Sequence, residues 1–135
     1  MPPIPWTLEV RPAEAADAEW LTGFLGLPFA HGWPSSDDCW LVAEREGLPV
    51  GTVQVLPGRP TAGLLHLRTS SEIDGRSSAY VRQALLDSAL KTLGLVGALS
   101  TWCFVPFSDR ATKRTLKRRF GGRVVESGNW LRMGV

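Results

Sequence analysis

"SSEIDGRSSAYVRQALLDSALKTLG", residues 70–94, decides the fold. It begins as a polar turn containing a glycine and changes to helical period. Val81, Leu85 and Ala89 make one row, Leu86, Leu90 and Leu93 make the next, and Gly94 stands at the stop, so the spacing predicts a helix over 77–93. The stretch before it, "GLLHLRT" (63–69), reads as a strand with Leu65 and Leu67 on one face and Leu64, His66 and Arg68 on the other. The stretch after it, "VGALSTWCFV" (96–105), is a nearly continuous apolar run ending at Pro106 and predicts a central strand buried on both faces. The turn in the middle has two readings. A strand, a short loop and a helix whose first amides are free form a ready anion site, and the same letters also describe an ordinary N-capped turn.

Working outward, "TLEVR" (7–11) alternates as a half-buried strand does, and Pro12 stops it. In "AEAADAEWLTGFLG" (13–26), Ala15, Ala18, Leu21 and Leu25 fall at helical spacing, acidic residues cluster early, and Gly26 closes the segment. Residues 27–38 have loop composition and carry two aromatics, Phe29 and Trp33. "CWLVAERE" (39–46) and "VGTVQVL" (50–56) read as an antiparallel hairpin across "GLP", with 63–69 as the third strand of a meander. After the central strand, "SDRATKRTLKRRFGG" (108–122) is a helix with Ser108 or Asp109 as N-cap and the glycine pair as its stop. "RVVESGNWLRMGV" (123–135) reads as a closing strand or hairpin with "SGN" as its turn. The order is that of an α/β or α+β protein with mixed strand directions.

A chain of 135 residues with 44% hydrophobic and 21% charged residues suits one globular domain spanning 1–135. No apolar run approaches the roughly 18 residues of a membrane span, and the start lacks the pattern of a secretory signal, so a soluble cytoplasmic protein is expected. Cys39 and Cys103 lie in apolar strand-like segments with no Cys or His at metal-ligand spacing, which predicts two buried free thiols and no metal. The net charge of +2 is unevenly spread. Arg110, Lys113, Arg114, Lys117, Arg118, Arg119 and Arg123 hold seven of the fifteen basic residues, leaving eight basic against thirteen acidic elsewhere, a balance of −5. The basic segment could face a phosphate or an acidic partner, or be a solvated helix face. The absence of interleaved aromatics or a reader motif argues against nucleic acid.

Three stretches carry a resemblance to a known family. "LEVRPAEAADAEWLTGFL" is similar to the opening strand and helix of the GNAT superfamily of N-acetyltransferases, "WLVAEREGLPVGTVQVL" to its strand, Gly turn and "VG" strand, and "SDRATKRTLKRRFGG" to its late helix with the closing Gly and Phe. The resemblance covers nearly the whole chain. It implies a mixed central sheet of about six to seven strands flanked by three or so helices. It also implies acetyl-CoA as cofactor and an amine as acceptor, with direct acetyl transfer.

The resemblance places the cofactor on the fourth strand and the turn after it, at Leu67, Arg68, Thr69, Gly75, Arg76, Ser77, Ser78 and Ala79. The family's pattern in that turn is Arg or Gln, two residues, Gly, one residue, then Gly or Ala. "DGRSSA" lacks the two spaced glycines. Arg110, Lys113 and Arg114, at i, i+3 and i+4, are the expected contacts of the ribose 3′-phosphate. Glu72 is the first candidate for the base that takes the amine proton and His66 the second. Cys103 is a further candidate as thiol acid or, with His66, as a nucleophile. The late helix offers no tyrosine as general acid, since the single one, Tyr80, lies on the other helix. A contrasting expectation is a catalytically degenerate domain of the same fold, used as an interaction or assembly module with a protein partner, as a homo-oligomer, or in a phage particle. The altered loop and the six tryptophans point that way.

Overall fold

A computed structural model describes residues 6–26, 39–106, 108–126 and 130–135. Strand β1 (Leu8–Pro12) is followed by a single 3-10 turn (Ala15–Asp17) and helix α1 (Ala18–Leu25), which Gly26 ends at φ 68° in the left-handed region. The meander β2 (Cys39–Arg45), β3 (Leu48–Leu56) and β4 (Thr61–Thr69) comes next, then α2 (Gly75–Leu95), β5 (Ser100–Phe104), α3 (Arg110–Phe120), β6 (Arg123–Glu126) and β7 (Trp130–Gly134). All seven strands join one sheet in the order β1-β2-β3-β4-β5-β7-β6. Every neighbouring pair is antiparallel except β4 and β5, which are parallel because the α2 crossover connects them. The mixed sheet and three helices agree with the architecture expected from the sequence. Phe29, Trp33 and the "SGN" turn lie outside the described residues.

The α2 rows read from the sequence do face the sheet. Val81, Leu85, Leu86, Ala89 and Leu93 are fully buried and pack on Leu41, Ala43, Val53, Val55, Leu64 and Leu67 of β2–β4. The helix can lie this close because Gly51 of β3 sits beneath it; a β-carbon there would come within 2.8 Å of Val81 Cγ1 and 3.1 Å of Leu85 Cδ1. Alternate residues of β2, Trp40 and Val42, are buried on the opposite face, where α1 contributes Leu21. One ion cluster ties the first elements together. Arg11 of β1 donates to both carboxylate oxygens of Asp17, at 2.7 and 2.9 Å, and to Glu44 of β2 at 2.6 Å.

Two sequence expectations change. The run 96–105 is not one strand: α2 continues to Leu95, Val96 and Leu99 are exposed in the turn that follows, and β5 begins at Ser100. Within β5 burial alternates, with Thr101 and Cys103 buried and their neighbours only partly so; a parallel strand beside a splayed gap is not covered on both faces. In β4 the alternation breaks at His66. Thr52 pairs with Arg68 and Gln54 with Leu65, so two residues of β4, His66 and Leu67, stand opposite the single Val53. This is a β-bulge, and His66 takes φ 54° to make it. Leu67 therefore joins Leu64 in the core beneath α2, and Leu65 does not share its face.

Candidate active site

The pairing of β4 with β5 runs from Thr61–Ser100 to Leu64–Cys103 and stops, although β4 goes on for five more residues. The two central strands part just where the bulge bends β4. Between them lies a cavity of about 380 Å³, lined by Leu65, His66, Leu67 and Arg68 of β4, Phe104 at the end of β5 and Pro106 after it, Ser108 and Asp109 at the start of α3, and Leu25 of α1. That volume is in the range of small-molecule sites. The wall beside α1 is fixed by stacking: the Arg68 guanidinium lies 5.3 Å from the centre of the Phe24 ring, which stacks on Trp20 at 4.6 Å. On the far wall Asp109 caps α3, accepting from the Thr112 backbone N–H at 3.0 Å and from the Thr112 hydroxyl at 2.7 Å.

Among the described residues His66 is the one imidazole lining this cavity. Its ring stacks against Trp40 with centroids 5.7 Å apart, and although the residue as a whole is exposed, partial desolvation of the imidazole lowers its pKa below the usual 6.5. The imidazole is thus neutral at pH 7 and able to accept a proton. Glu72 lies in the exposed turn after β4 and is absent from the cavity lining, its own N–H donating to Ser70 Oγ at 3.2 Å. The two candidate bases are therefore not brought together. Cys103 is fully buried in the core, and burial, with the Asp109 charge as a smaller cause, pushes its thiol up to about 12. A sealed thiol of that kind is neither nucleophile nor acid at neutral pH. Cys39, only partly buried, is raised as well by desolvation.

The turn from 70 to 74 leads into α2 with Asp74 as N-cap, so the helix begins two residues earlier than the spacing predicts. The Asp74 carboxylate accepts from the Ser77 N–H at 2.7 Å, and the donors of Ser77 and Arg76 hold its pKa below the usual carboxylate value. Ser77 is buried and Gly75 open, with nothing within 4 Å of where its β-carbon would be. Ser78 and Thr69 are hydrogen-bonded to each other through their hydroxyls. Arg110, Lys113 and Arg114 are brought together with Lys117 and Arg118 along a groove of about 360 Å³ on α3, distinct from the cleft. Tyr80 is also outside the cleft, beside Gln83 and Arg119.

Arg82 is the residue that reading the sequence missed. It is 8% exposed, and among the described residues its guanidinium makes one hydrogen bond, to Ser78 Oγ at 3.4 Å. The signal was present in the spacing, since Arg82 stands at i, i+4 between Ser78 and the buried Leu86. Among the described residues no cluster of His, Cys, Asp or Glu is placed to hold a metal ion, and no helix is long and apolar enough to cross a membrane.

No protein-family model and no curated protein sequence matches the chain. Solved structures do. The Arabidopsis thaliana protein NAA60, in complex with a bisubstrate analogue, superposes with a TM-score of 0.74 at 15% identity over 96% of this chain and 99% of its own. A GNAT-family acetyltransferase from Staphylococcus aureus gives 0.72 at 10% identity over 95% and 99%. An N-acetyltransferase from Thermoplasma acidophilum, in complex with coenzyme A, gives 0.68 at 15% identity over 96% and 99%. Sheet order, the parted central strands and these superpositions agree: the chain has the fold of the GNAT superfamily of N-acetyltransferases.

Proposed function

We propose that this chain is an acyl-CoA-dependent N-acetyltransferase that moves an acetyl group directly to an amine. The observation that carries the reading is the gap between β4 and β5, opened at the bulge and lined by a neutral histidine. The residues fit the cofactor there. From Leu65 to Thr69 the β5-facing edge of β4 has no strand partner among the described residues, so an extended amide-bearing chain can pair with it as an added strand would. Leu25, Leu65, Leu67, Phe104 and Pro106 keep water from the reacting groups. The α3 groove at Arg110, Lys113 and Arg114 suits a phosphate monoester. At the start of α2 the fit differs from the family's. Counted from Glu72, the spacing of the pattern falls on Gly75 and Ser77, but glutamate stands where the family has Arg or Gln, and Asp74 holds the helix donors.

Bound acetyl-CoA would supply the acetyl group as a thioester. His66 takes the proton from the incoming amine, and its lowered pKa keeps it in the accepting form. A backbone N–H in the stretch Leu67–Thr69 donates to the thioester carbonyl. Direct transfer is favoured over an acyl-enzyme because Cys103 is buried with a thiol pushed up to about 12.

Melting measured with and without acetyl-CoA, followed by a thiol-release assay over a panel of amines, tests this. Acetyl-CoA at a hundred times its Kd adds about 2.7 kcal/mol to the native state, which raises the Tm by several degrees. An unchanged Tm at saturating acetyl-CoA together with no release of coenzyme A would sink the reading.

A further inference from the structure

The first amides of α2 are engaged by the chain itself. Asp74 draws on the N–H groups of Ser77 and Arg76, and the Ser78 N–H donates to the Asp74 carbonyl at 2.8 Å. A second anion placed there would meet a carboxylate. Two turns on, Arg82 presents the opposite situation. A buried arginine ordinarily has its fork of donors satisfied by a carboxylate or by carbonyls. Here the guanidinium has one long hydrogen bond, to Ser78 Oγ, and no ion pair within 4 Å among the described residues; its other interaction is the more distant attraction of Asp109, and its remaining donors reach solvent, where a ligand can meet them.

That hydrogen bond links Arg82 to two hydroxyls beyond it. Arginine can only donate, so Ser78 Oγ accepts from Arg82 while sharing a second hydrogen bond with Thr69 Oγ1, in which either hydroxyl can be the donor. Among the described residues the Thr69 side chain has no other hydrogen bond, so its hydroxyl has capacity for a further partner. Thr69 is the last residue of β4, immediately after Leu67 and Arg68 of the cleft wall. A guanidinium with donors to offer and a hydroxyl with capacity for a partner therefore stand together where the open edge of β4 meets α2.

We propose that Arg82, with the Ser78 and Thr69 hydroxyls linked to it, is the phosphate-binding subsite of this chain, in place of the α2 amides that Asp74 occupies. The ligand class is a phosphate or diphosphate ester. The inference rests on the acyl-CoA reading for its first source, the diphosphate of the acyl donor; a phosphorylated acceptor is the second. Among the described residues Asp109 is the one carboxylate whose charge reaches Arg82, and it is already bonded to Thr112 of α3.

Calorimetric titration of the full chain with coenzyme A, pantetheine and inorganic pyrophosphate separates these possibilities. Wild type is expected to bind coenzyme A more tightly than phosphate-free pantetheine. Arg82→Met should weaken coenzyme A and pyrophosphate by about 10- to 100-fold, and Thr69→Val by about 3- to 10-fold, with pantetheine unchanged. Asp74→Asn keeps the cap, removes its charge, and should tighten coenzyme A several-fold. Thr69→Val is close to isosteric and leaves a reporting variant if Arg82→Met does not fold. Wild-type affinity for coenzyme A in a folded Thr69→Val or Arg82→Met overturns the subsite and leaves the acetyltransferase reading standing. Wild type that binds neither coenzyme A nor pantetheine removes that reading; Arg82-dependent binding of pyrophosphate would then support the subsite for a phosphorylated acceptor, and its absence would remove both.

Discussion

His66 holds φ 54°, a conformation that crowds any β-carbon and is uncommon outside glycine, asparagine and aspartate. The chain accepts that cost of about 1 kcal/mol or more at the position where β4 must bend away from β5. The bend turns the imidazole onto the α1 side of the sheet, against Trp40 and into the cleft. Its role as base makes two checkable demands. His66→Gln should lower kcat by about 10²- to 10⁴-fold while acetyl-CoA affinity, read by titration, stays near wild type. In wild type, kcat should rise with pH through a pKa below 6.5 and be flat from neutral pH upward, because deprotonated imidazole is the active form. A rate that still climbs steeply between pH 7 and 8 would place the essential base elsewhere.

At the scale of elements, α2 is held by the absence of a side chain as much as by its leucines. The Cβ of Gly51→Ala would come within 2.8 Å of Val81 Cγ1 and 3.1 Å of both Leu85 Cδ1 and the Arg68 carbonyl oxygen, so strand or helix must shift. We expect a loss of about 1–3 kcal/mol, measured by chemical denaturation. Because the crowded carbonyl belongs to Arg68, beside the cleft, ligand affinity should fall with stability; a variant as stable as wild type would show that α2 has room to move. The opening elements depend on Arg11 instead. Asp17 is 7% exposed and bonded to the guanidinium and to the Glu14 N–H, so Asp17→Ala leaves a part-buried cation with reduced pairing. A cost of about 1.5–3 kcal/mol follows for charge-assisted bonds of this kind.

For the molecule as a whole, these groups set an acid limit. Arg11 first, then the Glu14 N–H, hold the folded pKa of Asp17 below its usual 3.8, while desolvation acts the other way. A depressed folded pKa contributes stability above the unfolded value, and that stability is lost as pH falls through the folded one. His66 acts earlier in the same direction: with a folded pKa below 6.5, it takes its proton more readily unfolded, so stability begins to decline below that pH. Denaturant midpoints measured from pH 7 to pH 3 should therefore fall in two stages, the first absent in His66→Gln and the second reduced in Asp17→Asn. The helices and strands behind this behaviour were legible in the chain because their signals are local. The rows of α2, the Gly stops at Gly26 and Gly121 and the Asp109 cap each depend on residues within a turn or two. The burial of Cys103 was legible too, from its apolar segment, but the bulge and the extent to which Arg82 is covered were not. Whether His66 continues the β4 alternation depends on its pairing with Val53 of another strand, and how much an arginine is covered depends on which elements pack around it. The sequence by itself determined the order and type of the elements, since period and capping are properties of neighbours along the chain. The tertiary structure alone decided which face each β4 side chain takes and which polar groups stand without a full set of partners, because both are fixed by residues far apart in sequence.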